Sequence, residues 1–200
     1  MNYELYHSRS VRGVINVAFS HFSSQFRQLF RATWQPCLAY VMLQVALAVS
    51  VSLLLPWPVL ACLLVLMLIA NMYVAGCVVR HLSGRHGNPL MIAFSLGWRY
   101  LVTVLSCWRR YGFTFAVVLI STLLVALAFC VLGLPQYVLG AAWSSNWVGL
   151  AQGDPNGLPV TFPLLTAIVT LVTGFLGVYV DMTRIFCAWY HYGSLKSKER

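Results

Sequence analysis

Asp181 and Arg184 stand three residues apart at the end of a long apolar stretch, and Asn71 lies inside another. Ionisable or strongly polar side chains in a membrane span are costly, so each is a functional candidate by default. Three-residue spacing puts Asp181 and Arg184 on one helical face, within reach of an ion pair. The plain reading is a structural pair at the membrane boundary. The functional reading joins Asn71, Asp181 and Arg184 into an intramembrane polar site. The depth of Asp181 decides between them.

Thr166, Thr170 and Gly174 repeat every four residues, as do Thr173, Gly177 and Asp181. Small residues at that spacing let helices approach closely in lipid, so this is expected to be a packing seam. The functional version makes it a polar path or a partner interface.

His81 and His191 fall at matching places after two apolar stretches, and paired imidazoles can hold haem or metal. No further ligands stand near them in the sequence, so no metal and no cofactor are expected. Cys37, Cys62, Cys77, Cys107, Cys130 and Cys187 lie in or beside apolar segments, and none forms a C-x-x-C pair. They read as small buried apolar groups. There is no Gly-rich phosphate loop, H-E-x-x-H or G-x-S-x-G. No catalytic residue is assigned, and a non-enzyme is expected.

The elements that must position these residues follow from composition. The chain of 200 residues is 60% hydrophobic and 8% charged. A soluble domain carries about a quarter charged residues. That much apolar surface cannot be hidden in a globule of this size, so the excess faces lipid. The expected fold is an all-α integral membrane protein with four transmembrane helices in two hairpins. Each hairpin is expected to follow a cytoplasmic amphipathic interfacial helix.

The first interfacial helix is predicted over Val11 to Arg31, where Val11, Ile15, Ala18, Phe19, Phe22, Phe26, Leu29 and Phe30 recur at helical spacing. A span from about Cys37 to Leu55 follows, broken by Pro56-Trp57-Pro58. The second span runs from about Val59 to Val79, and a polar loop covers Arg80 to Pro89. Leu90 to Trp108 repeats the interfacial pattern, with a membrane-dipping segment as its alternative. The third span covers about Tyr111 to Leu134, an external loop residues 135–159, and the fourth span about Val160 to Val180. The start of the chain shows no cleavable signal pattern, so the first span is expected to direct insertion.

All 13 Lys and Arg fall before the first span, between the second and third, or at and after the end of the fourth. The positive-inside rule then puts both termini and the central segment in the cytoplasm. The expected location is a bacterial inner membrane, crossed several times. The net charge of +9 is explained by this topology, and no nucleic-acid partner is expected.

The chain reads as a single membrane domain, residues 1–200, with repeat-like halves at about 11–89 and 90–200. Ala18-Phe19-Ser20 recurs as Ala93-Phe94-Ser95, and Trp34 is answered by Trp108. Asn71, Met72, Cys77 and His81 match Asp181, Met182, Cys187 and His191 at one offset of 110 residues. A duplicated two-span unit keeps its orientation, so the halves would share an axis along the membrane normal.

Two functions are compatible with these features. The first is a non-enzymatic subunit or scaffold that binds membrane lipid, another membrane protein or a second copy of itself. The alternative is a small transporter or channel component using Asn71 and Asp181.

Overall fold

The computed structural model describes residues 5–107, 110–152, 159 and 161–197. Among them are six helices and no strand: α1 Val11–Ser52, α2 Trp57–Ser83, α3 Pro89–Ser106, α4 Tyr111–Leu132, α5 Leu134–Ala151 and α6 Phe162–Lys196. Five of these, all but α5, are long and apolar enough to cross a membrane. The chain is thus a helical membrane protein. Trp108 and Asp154 lie outside the described residues.

Three elements differ from the sequence reading. The interfacial helix and first span are one continuous α1 of 42 residues with Pro36 inside it. No glycine or polar cluster separates Arg31 from Cys37. The Thr33 hydroxyl donates to the Leu29 carbonyl at 2.7 Å, within the helix itself. Proline in a helix interior removes one hydrogen bond, and that loss is not enough to end α1. The second difference is α5, which covers most of the expected loop 135–159. Gly140 and Gly149 read as punctuation, yet each costs a helix only about 1 kcal/mol. Pro135, read as a terminator, sits in the first turn of α5, where its missing N–H is harmless. The third is α3, whose 18 residues meet the length and apolarity of a span. At 1.5 Å per residue it is about 27 Å long, the short limit for crossing a bilayer.

The turn after α1 closes with Leu54 N–H on the Val51 carbonyl and Leu55 N–H on the Ser50 carbonyl. That is the Schellman pattern, which demands a left-handed residue, and Leu54 supplies it at φ 54°. A bulky side chain there is strained. Pro58 then enters the first turn of α2. At the other end of α2, Gly84 takes φ 63° without that penalty.

The chain forms two compact units. The first gathers Met1–Gln35, Met72–Leu127 and Tyr179–Arg200. Its core is dense and aromatic: Leu29, Val78, Met182, Phe186, Tyr190 and Leu195 are buried. On α1 the buried line is Val14, Ala18, His21, Leu29 and Thr33, while Phe19, Phe26 and Phe30 stand partly exposed at its edge. Phe26 and Phe30 still reach the Tyr179 ring, at centroid distances of 5.6 and 5.5 Å. α3 enters this unit through Asn88, whose side chain caps Leu90 N–H at 3.1 Å. A side-chain carbon at Gly76 would collide with the Pro89 backbone carbonyl, so only glycine lets α2 and the start of α3 meet.

The second unit gathers Pro36–Asn71 and Ala128–Val178. It is more open, and long apolar side chains such as Leu68, Val138 and Leu164 face outward. Lipid is the natural solvent for such a surface. Gly133 alone separates α4 from α5, its N–H bonded to the Phe129 carbonyl at 2.7 Å.

Candidate functional site

Each predicted polar residue has a definite environment. Asp181 and Arg184 are brought together, with Oδ1 and the guanidinium 3.1 Å apart on one face of α6. Both side chains are over 40% exposed, so the pair is worth little as a tether. Asn71 is exposed on α2, and its side chain makes no hydrogen bond among the described residues.

The seam residues of the second unit make closer contacts. A Cβ at Gly174 would stand 2.5 Å from Gln44 Oε1 and 3.3 Å from Val41, so its absence lets α1 and α6 approach. A Cβ at Gly177 would stand 2.8 Å from the Phe129 ring. Gln136, in the first turn of α5, donates through Nε2 to the Thr170 hydroxyl at 2.8 Å and to Thr173 at 3.2 Å. Thr166 and Thr173 give their own protons to the Phe162 and Val169 carbonyls. Hydroxyls bonded back to their helix in this way carry their polarity at low cost in lipid.

Beside this seam lies a cavity of about 340 Å³ between α1, α2, α5 and α6. Leu47, Val51, Met67, Leu139 and Phe162 make it largely apolar, while Gln44, Gln136, Trp143 and Thr166 add uncharged polar groups. The first unit holds a smaller cavity, about 140 Å³, between α2, α3 and α6. Ala75, Ala93, Gly97 and Ala188 keep it open, and Tyr100 borders it.

The first unit also brings His21 and His191 into an aromatic core. The Tyr190 hydroxyl and His21 Nδ1 are 2.6 Å apart, and Tyr100 hydroxyl and His191 Nδ1 are 3.0 Å apart. The Arg9 guanidinium lies 5.3 Å above the Tyr190 ring. His81 and His191 each bury an Nε2 atom with no hydrogen-bond partner among the described residues. His191 lies past the apolar part of α6, and burial pushes its imidazole down to about 4. Burial also lowers His21 and His81, so all three favour the neutral form. No group of three or more His, Cys, Asp or Glu among the described residues is arranged to hold a metal ion.

Sequence reasoning missed Gln44 and Gln136. An amide within an apolar stretch was the available signal, and it is as plain at Gln44 as at Asn71. The His21–Tyr190 and Tyr100–His191 pairs join residues 169 and 91 positions apart, and no local spacing marks them.

Fold and site together define a class, a helical membrane protein with several helices fit to cross the bilayer and with uncharged, mainly apolar cavities. Comparison with protein-family models, with curated proteins and with solved structures finds no match.

Proposed function

We propose that this chain is a non-enzymatic membrane protein that works by binding lipid or another membrane protein. The observation that carries this reading is the character of its cavities. Their linings hold apolar groups, amides and hydroxyls, with tyrosine the sole titratable type among the lining residues. Such walls suit a neutral apolar ligand and offer no acid–base pair for chemistry at neutral pH.

The proposed topology has four spans in two hairpins, with both termini in the cytoplasm of a bacterium and α3 lying along the membrane surface. Support for α3 comes from its contacts. Its start at Pro89 abuts Gly76, and Tyr100 further along it reaches His191. All four residues belong to the first unit, which also holds all ten of the arginines and lysines among the described residues, and the positive-inside rule assigns these to the cytoplasm. A reporter fused at Gly140 is expected to be external; a cytoplasmic signal there overturns the topology.

Native mass spectrometry of the protein purified in mild detergent tests the function. A retained lipid or a second polypeptide is expected. A bare monomer that moves solute in liposomes would favour the transporter reading instead.

A further inference from the structure

We infer that the cavity between α1, α2, α5 and α6 is a site for a neutral lipid whose free hydroxyl bonds the Gln44 amide. The inference rests on the lipid-binding reading above and names the ligand class.

Gln44 lies near the middle of the apolar part of α1 and borders the cavity. Its amide has no hydrogen-bond partner among the described residues. An amide left unpaired in an apolar medium costs roughly 2–7 kcal/mol. Gln44 is half-buried and neither amide atom is sealed inside the protein, so a ligand in the cavity can reach it and remove that cost.

The remaining groups say what that complement is. Thr173 gives its single proton to the Val169 carbonyl, so it can only accept from Gln136. That fixes the Gln136 amide with its nitrogen on the two threonines and leaves Oε1 as an open acceptor. The Thr166 proton is likewise committed, to Phe162. The cavity therefore offers N–H donors on Gln44 and on the Trp143 indole, and two amide carbonyl acceptors, on Gln44 and Gln136. A ketone or ester would answer a donor and leave both acceptors bare. A hydroxyl both donates and accepts, and so matches the set.

Charge narrows the ligand further. No lining residue is ionisable, so a phosphate drawn inside would lose its hydration with no cation in return. The rest of the wall is apolar, and 340 Å³ is enough for a glycerol backbone with the first carbons of its chains, at the lower end of the roughly 300–1,000 Å³ common for ligand pockets. A diacylglycerol-type lipid has this combination of one hydroxyl, no charge and an apolar body. Trp143 borders the same cavity and supplies a fluorescent reporter.

The experiment uses the full chain in phosphatidylcholine nanodiscs containing a diacylglycerol with brominated chains. The Trp143 signal is taken as the difference from Trp143→Phe. Saturable quenching is expected, with apparent affinity lowered at least tenfold by Gln44→Leu. Because that variant removes an unpaired amide, its thermal stability should equal or exceed the parent's. Leu139→Trp, which fills the cavity from another wall, should abolish the saturable component independently. Brominated phosphatidylcholine that quenches as well at equal mole fraction, with Gln44→Leu unchanged, would overturn the hydroxyl-selective site in favour of a plain acyl cleft. Absence of saturable quenching also overturns it. In either case a lipid or subunit retained in native mass spectrometry would leave the broader binding reading standing.

Discussion

The two units solve different packing problems with the same kind of helix. Of the twelve largest fully buried side chains, ten belong to the first unit, and only Val41 and Cys37 to the second. The first unit fills its interior with Phe186, Tyr190 and Met182, large side chains that bury much area each. The second unit brings helices together over Gly174 and Gly177 and ties them through Gln136. Lipid gives apolar side chains no reason to leave it, so close backbone approach and hydrogen bonds must hold helices together. The contrast is one of packing, aromatic burial in the first unit and close backbone approach in the second.

The strongest way to break this contrast is to hollow out both cores. Phe186→Ala should lower stability by about 4 kcal/mol, read by unfolding in detergent. An equal loss from Leu47→Ala would erase the distinction. Next in size is Gly76→Ala, which drives a methyl into the Pro89 backbone and should cost about 3 kcal/mol, visible as a lower Tm.

Acid provides the third test, and it should act on the first unit. In the folded chain His191 is held near 4, below its ordinary 6.5. As pH falls, the unfolded chain therefore takes up the proton first. Stability should be full above about 6.5 and decline toward 4, by on the order of 2 kcal/mol near pH 5. Replacement by glutamine should flatten that decline, and an unchanged slope in His191→Gln would assign it to other groups.

Two smaller effects sharpen the comparison. Gln136→Leu should cost about 1 kcal/mol, typical of an interhelical hydrogen bond in a membrane. Asp181→Asn should change stability by less than about 0.5 kcal/mol, because the pair with Arg184 is exposed. A large loss of Tm or protein level in Asp181→Asn would mean that the carboxylate has a buried partner.

Much of the helical layout was legible in the sequence. Apolar runs located α2, α4 and the first part of α6, and prolines and glycines located the turns at residues 53–56 and 84–88. The continuity of α1 was not, because the switch from an amphipathic to an apolar pattern between Arg31 and Cys37 imitates a boundary. α5 was hidden for a related reason: glycines and the lack of periodic apolarity imitate a loop. At the candidate site, the seam was readable because it is periodic along one helix. Its ties to Gln136 and Gln44 come from other helices, and spacing holds no information about such contacts. Asp181 drew notice by its charge, although charge marks cost in a membrane and does not by itself mark a cavity.

The left-handed Leu54 has a mechanical consequence. Closing α1 through that residue turns the tip outward, leaving Leu54 and Trp57 59% and 73% exposed. In the topology proposed above these side chains would lie in the outer leaflet and act as a float. Pulling the tip into water would cost roughly 1.5–3 kcal/mol for each large apolar group. Pushing it deeper would strip the indole N–H of Trp57 from the headgroup region. On that topology the hairpin is trimmed to one level, and a strained turn becomes the draught mark of the molecule.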